Sequence, residues 1–151
     1  MTAVLSFRPV HATDFESLLA LRNEALHESL ERLGRLDPER SRARFQESFA
    51  PELMRHILIS ERAIGFLTVR PDNEALLLEH LFIRPSEQGQ GIGARVLQVV
   101  FAEARAAQAD VRLAALRDSA ANRFYVRHGF TRSHESEWDI HYVWRHSELA
   151  G

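Results

Sequence analysis

The chain has 151 residues, 45% of them apolar and 26% charged, a composition near the globular average and far from that of disordered chains. Nineteen basic residues against twenty-one acidic give a net charge of −2, too weak a field to advertise DNA, RNA or an anionic membrane. Cysteine is absent and every basic residue is arginine. That excludes disulfides, thiolate nucleophiles and Cys-ligated zinc, and with them lysine Schiff bases, pyridoxal phosphate and Walker-type phosphate loops.

The opening Met-Thr-Ala-Val-Leu-Ser-Phe-Arg-Pro lacks the basic-then-apolar layout of a signal peptide, and no apolar run reaches the roughly 20 residues of a membrane span; a cytoplasmic, single-domain protein covering residues 1–151 is expected. Val4–Arg8 reads as a short strand closed by Pro9. Thr13 and Asp14 sit where a helix N-cap belongs, before a helical pattern of Phe15, Leu18, Leu19, Leu26, Leu30 and Leu33 that Gly34 ends. Asp37-Pro38-Glu39 opens a second, short helix with proline at its first position. Its Arg40, Arg42 and Arg44 read as a solvated face, with attraction of an anionic acceptor or a cofactor phosphate as the other reading. Phe45 and Phe49 are its anchors.

His56–Ser60 and Ala63–Val69 read as two strands turning at Glu61-Arg62, and Pro71-Asp72-Asn73 is turn chemistry. Ala75–Ile83 is apolar almost throughout, as a strand buried on both faces would be. A glycine-rich stretch then leads into an amphipathic helix carrying Ile92, Val96, Leu97, Val100, Phe101 and Ala104 at helical spacing. Val111–Leu116 is another strand, and Ser119–His128 a helix with Gly129 in C-cap position. Phe130 begins a strand, Thr131–Glu137 reads as a polar loop, and Trp138–Trp144 as the last strand. The order β-α-α-β-β-β-α-β-α-β-β is that of one mixed α/β domain.

The chemistry is concentrated after Ile83. Gly89, Gly91 and Gly93 are three of the seven glycines in the chain, spent between a buried strand and a helix. Glycines let a backbone approach an anion closely, and a helix N-terminus adds about half a positive charge, so a diphosphate fits there without lysine. Gly89-x-Gly91-x-x-Ala94 nominally matches the dinucleotide fingerprint. The match fails on context: Asp110 stands near the required distance of about 20 residues but precedes the next strand, and too little chain remains for a second half.

The stretch Leu81-Phe82-Ile83-Arg84-Pro85-Ser86-Glu87-Gln88-Gly89-Gln90-Gly91-Ile92-Gly93-Ala94 resembles the acetyl-CoA motif of the GCN5-related N-acetyltransferase (GNAT) superfamily, Arg/Gln-x-x-Gly-x-Gly/Ala after an apolar strand and a proline. Downstream, Ala121-Asn122-Arg123-Phe124-Tyr125-Val126-Arg127-His128-Gly129-Phe130 is similar to the Phe-Tyr-x-x-x-Gly-Phe segment of that superfamily. The resemblance covers essentially the whole chain. It implies an α/β (α+β) fold: a mixed, mostly antiparallel sheet of about six to seven strands flanked by about four helices, with the strand ending at Ile83 splayed from Val111–Leu116 to hold the cofactor.

The resemblance further implies acetyl-CoA as cosubstrate, with no metal. Its pantetheine amides would pair with backbone groups at Leu81, Phe82 and Ile83, its pyrophosphate would lie on the N–H groups of Gln88, Gly89, Gln90, Gly91, Ile92, Gly93 and Ala94, and Asn122 and Tyr125 would meet the pantetheine and thioester end. Ser119 stands where relatives often carry asparagine. The implied reaction is direct attack of a primary amine, of a small molecule or a peptide, on the thioester; a non-catalytic acetyl-CoA-binding module is the alternative. A phenol protonated at neutral pH suits the departing thiolate, which makes Tyr125 the candidate acid, or else a half-buried tyrosine holding its helix beside Phe124.

Glu79 is the candidate base, or else the partner of an arginine. His80, on the opposite face of the strand, reads as a satisfied core histidine, with the role of base as its other reading. The histidines do not have metal-site spacing. Trp138, Tyr142 and Trp144 share a strand face suited to packing or a subunit contact, and with Phe82 they admit a homodimer. His134, Glu135 and Glu137 would give the acceptor pocket an acidic rim. No nucleic-acid or membrane partner is expected.

Overall fold

The computed structural model describes residues 3–147 and holds seven strands, four α-helices and three short 3-10 turns. The strands are β1 (Leu5–Pro9), β2 (Met54–Ile59), β3 (Arg62–Asp72), β4 (Ala75–Ile83), β5 (Val111–Leu116), β6 (Thr131–Glu135) and β7 (Asp139–Trp144). The helices are α1 (Phe15–Arg32), α2 (Pro38–Ser48), α3 (Ile92–Ala107) and α4 (Ala121–Arg127). The strands are hydrogen-bonded in the order β1-β2-β3-β4-β5-β7-β6. The β4/β5 pair is parallel, whereas β1/β2, β2/β3, β5/β7 and β6/β7 are antiparallel, so the sheet is mixed as expected.

The chain forms two compact units. One takes the described residues up to Thr68 together with His80–Gln90; the other takes Val69–Glu79 and the described residues from Gly91 onward. In the first unit, α1 turns Leu18, Leu19 and Leu21 inward onto Val10, Phe45, Met54 and Phe66, with Phe15, Phe49 and Phe82 packed against that cluster. The rings of Phe15, Phe45 and Phe49 lie 5.1–5.7 Å apart, within the range in which aromatic pairs attract beyond mere burial. Asp37 caps α2 by accepting from the N–H of Arg40 at 3.2 Å, and Pro38 fills the first helical position. Asp14 accepts from His56 Nε2 at 3.0 Å, tying the entry of α1 to β2.

One glycine of this unit is set by space. A Cβ on Gly65 would stand 2.3 Å from the carbonyl oxygen of Phe82 and 3.2 Å from Ile83 Cα. Only glycine lets the β3 backbone come so near the end of β4, and the N–H of Arg84 reaches the carbonyl of Ile64 at 2.8 Å beside it.

In the second unit, α3 buries Ile92, Val96, Leu97, Val100, Phe101 and Ala104, the stripe that the sequence periodicity requires. Phe101 stacks on Trp144 at 4.2 Å. The N–H of Leu76 meets the carbonyl of Asp110 at 2.8 Å, where β5 begins beside β4. The parallel register then pairs Leu76 with Val111 and Leu77 with Arg112 and does not include Leu78 or Glu79. Against β7, by contrast, β5 pairs along all six of its residues.

Two elements differ from the sequence reading. Residues 131–135, expected as loop, form the edge strand β6; all five side chains are exposed, so no alternation marks them, and backbone pairing with β7 supplies the order. The last strand begins at Asp139, and Trp138 lies before it, 36% exposed, while Tyr142 and Trp144 are buried.

Candidate active site

The residues of the glycine-rich loop are exposed from Gln88 to Gly91. Gly89 and Gly91 lie at φ of +80° and +78°, with nothing within 4 Å of where a Cβ would project. Conformation, not crowding, demands glycine at these two positions. Gly91 is also the N-cap of α3 and offers no side chain to cap it. The first N–H groups of any helix lack a carbonyl partner within it; here they belong to Ile92, Gly93 and Ala94. The first helical bond runs from Arg95 N–H to the Gly91 carbonyl at 3.2 Å. Exposed left-handed glycines before an uncapped helix start suit a diphosphate.

Gly93 serves differently. A Cβ there would lie 3.0 Å from Phe124 Cζ, so this glycine lets the ring of α4 settle on the first turn of α3. Gln88 is also spent locally. Its N–H goes to the Pro85 carbonyl at 3.2 Å, and its side chain donates from Nε2 to the Ile83 carbonyl at 2.9 Å. Arg62 forms an ion pair with Glu87, bracing the same turn from β3.

Tyr125 follows Phe124 on α4 and is buried, with 8% of its surface exposed. The rings of Phe124, Phe130 and Tyr142 surround it at 5.2, 5.4 and 6.4 Å. Burial pushes its phenol well above the usual range, so it is protonated at neutral pH. Among the described residues its hydroxyl has no hydrogen-bond partner. No buried side-chain polar atom there is left unsatisfied either, so the exposed sliver includes that hydroxyl.

Asn122 does something the sequence did not announce. Its Nδ2 donates to the Leu116 carbonyl at 2.9 Å and to the Ser119 carbonyl at 3.0 Å, and its Oδ1 accepts from the Tyr142 hydroxyl at 2.8 Å. Both amide hydrogens are committed, so the side chain works as a latch between the end of β5, the start of α4 and β7. Ser119 Oγ, 3.3 Å from the same Nδ2, belongs to that latch.

Glu79 pairs with Arg70, whose Nε and Nη2 donate to Oε1 at 3.2 and 2.9 Å; among the described residues Oε2 carries no such bond. His80 lies among Phe45, Phe66 and Phe82, with ring centroids 5.5–5.9 Å away. Thr68 Oγ1 stands 2.8 Å from its Nδ1 and Ser48 Oγ 3.3 Å from its Nε2. Both ring nitrogens are occupied, as a core histidine requires.

His134 and His141 stack across β6 and β7 at 4.2 Å. Glu135 faces two arginines, Arg132 at 3.2 Å and Arg117 at 3.5 Å, so the expected acidic rim is half neutralised. Among the described residues no three His, Asp or Glu side chains gather into a group able to hold a metal ion, and no helix is long and apolar enough to cross a membrane.

Gly65 and the contact of Phe124 with Gly93 are the features that sequence reasoning passed over. A lone glycine inside a strand pattern does signal a close backbone approach, and that signal was present in Ala-Ile-Gly-Phe-Leu. Phe124 belongs to the Phe-Tyr-x-x-x-Gly-Phe segment, but nothing in the sequence pairs its ring with Gly93.

No curated protein sequence matches the chain. Solved structures do. PaiA N-acetyltransferase from Thermoplasma acidophilum, crystallised with coenzyme A, is 17% identical with a TM-score of 0.76 over 94% of this chain and 99% of its own. An acetyltransferase from Thermus thermophilus is 20% identical, with a TM-score of 0.73 over 95% and 98%. N-acetylglutamate synthase from Neisseria gonorrhoeae, complexed with coenzyme A and N-acetyl-glutamate, is 17% identical with a TM-score of 0.68 over 96% of this chain but 36% of its own. At such identities the likeness is one of fold. The sequence profile described as an acetyltransferase (GNAT) domain matches residues 54–132, more than half of the chain. On that match, the chain belongs to the GNAT acetyltransferase family.

Proposed function

We propose that this protein transfers an acetyl group from acetyl-CoA to a primary amine of a small molecule or peptide, with Tyr125 as proton donor and Glu79 as proton acceptor. The observation that carries the reading is the seat of Phe124 against Gly93. It fixes the helix bearing Tyr125 on the uncapped helix start suited to a diphosphate, within one unit.

Bound acetyl-CoA supplies an acyl group activated as a thioester. The N–H groups of Gly89, Gln90, Gly91, Ile92, Gly93 and Ala94 bind its pyrophosphate, and backbone groups of Leu81, Phe82 and Ile83 pair with its pantetheine amides. The local bonds of Gln88 give that residue the task of shaping the loop. Asn122 positions α4 through its latch and leaves ligand contact to its neighbours.

The amine must lose a proton as it attacks the carbonyl carbon. Glu79 Oε2 takes that proton, directly or through water, while Arg70 holds Oε1. The C–S bond breaks as the C–N bond forms, and the Tyr125 hydroxyl donates its proton to the departing sulfur. The tyrosinate left behind regains a proton from solvent, so the acid is restored for the next turnover.

The test is free-CoA release from acetyl-CoA over a panel of primary amines, run for the wild type and Glu79→Gln. The expected result is amine-dependent release that falls at least about tenfold in the variant, with acetyl-CoA affinity unchanged. Equal turnover by both proteins contradicts the role of Glu79. Release independent of every amine contradicts the transferase reading.

A further inference from the structure

The helix that carries Tyr125 takes its setting from contacts outside itself. α4 has seven residues, too few to hold a helix in water without tertiary packing. Phe124 seats one side of it on Gly93. Asn122, two residues earlier, faces nearly the opposite way, and Tyr125, three residues after Asn122, lies on the same face as Asn122.

The latch at Asn122 has a local half and a distant half. Its Nδ2 donates to the carbonyls of Leu116 and Ser119, each within six residues on the chain, and those bonds shape the turn into α4. Its Oδ1 has one donor among the described residues, the Tyr142 hydroxyl at 2.8 Å. Tyr142 is 3% exposed and lies on β7, paired with Leu113 of β5 on one side and Arg132 of β6 on the other. Its hydroxyl is therefore held by the interior of the sheet. It also decides which way round the amide sits: reversed, the amide would turn its oxygen toward two carbonyls. The Tyr142 ring lies 6.4 Å from that of Tyr125. Phenylalanine would pack there as well with no hydroxyl to desolvate, so packing alone does not account for the hydroxyl.

We propose that Tyr142 is a positioning residue for the proton donor: acting through Asn122, it fixes how α4 is rotated about its axis, and with it the aim of the Tyr125 hydroxyl at the departing sulfur. The proposal rests on the transferase reading, in which Tyr125 is the acid.

Tyr125 and Tyr142 are the two tyrosines of the chain, so each can be followed by NMR in the full protein isotope-labelled at tyrosine Cζ, with Tyr125→Phe and Tyr142→Phe assigning the two resonances. Coenzyme A is the probe, its thiol standing for the leaving group. Bound to the wild type, it is expected to move the Tyr125 resonance. In Tyr142→Phe, which keeps the ring and binds coenzyme A equally well, that response is lost. Over the amine panel, Tyr142→Phe lowers kcat by at least about threefold, as a misplaced catalytic group does, with the KM for acetyl-CoA unchanged. In the Tyr125→Phe background the same substitution changes kcat no further. A merely structural tyrosine would slow both backgrounds by the same factor, and that result overturns the proposal. So does a Tyr125 resonance that coenzyme A moves alike with and without the Tyr142 hydroxyl. A Tyr125 resonance that bound coenzyme A leaves unmoved in the wild type instead removes Tyr125 as the acid, and the proposal falls with that reading.

Discussion

Replacing Gly65 with alanine is expected to lower the melting temperature by about 6–12 °C. A Cβ there would sit 2.3 Å from the Phe82 carbonyl oxygen and 3.2 Å from Ile83 Cα, and both obstacles are backbone atoms. No side chain can swing aside, so β3 and the end of β4 must separate. Overpacking of that kind costs about 1–3 kcal/mol and sometimes more; at about 3 kcal/mol, a chain of this size loses roughly 2–4 °C per kcal/mol. The displaced strand end carries the backbone groups assigned to pantetheine, so acetyl-CoA affinity falls too. Thermal unfolding followed by circular dichroism checks the first effect. A shift within a degree of the wild type would mean that the close approach is not what holds β3 against β4.

Tyr125→Phe is expected to slow turnover at least tenfold and to leave stability and the KM for acetyl-CoA nearly unchanged. General acid catalysis is worth about 10²–10⁴ in rate, and part of it survives where water can protonate the thiolate. The variant separates two roles cleanly. The Tyr125 ring packs among Phe124, Phe130 and Tyr142, and phenylalanine keeps that packing. The hydroxyl has no protein partner among the described residues, so its removal leaves nothing unsatisfied. A tyrosine kept for packing alone would tolerate the change without kinetic effect, and an unchanged steady-state kcat would refute the acid role.

The elements that position the loop were legible because their signals are local. Ala75–Ile83 and Val111–Leu116 come out with the bounds that their apolar runs give, and Asp37-Pro38 starts α2 by the capping chemistry it advertises. Gly91 could be recognised as a conformational glycine from its place before a helix. The β2–β3 turn was misplaced by one residue. It lies at Ser60 and Glu61, both at positive φ, where turn chemistry favours asparagine or glycine; Ser-Glu gives no such signal.

What stayed hidden depends on contacts between segments distant in sequence. β6 has no buried face to impose a period. The latch made by Asn122 was hidden because its partners, Leu116 and Tyr142, are carried by other elements.

The central claim is that the N–H groups from Gly89 to Ala94, in the loop that Gln88 shapes, bind the pyrophosphate of acetyl-CoA. Isothermal titration of the purified protein with acetyl-CoA, with NAD and ATP as controls, tests it most directly. The expected result is micromolar binding of acetyl-CoA with no heat from either nucleotide, and loss of that binding in Gly91→Val, whose β-branched side chain resists the left-handed backbone that the loop requires. No binding of acetyl-CoA by protein shown to be folded, or binding that survives unchanged in Gly91→Val, would contradict the claim.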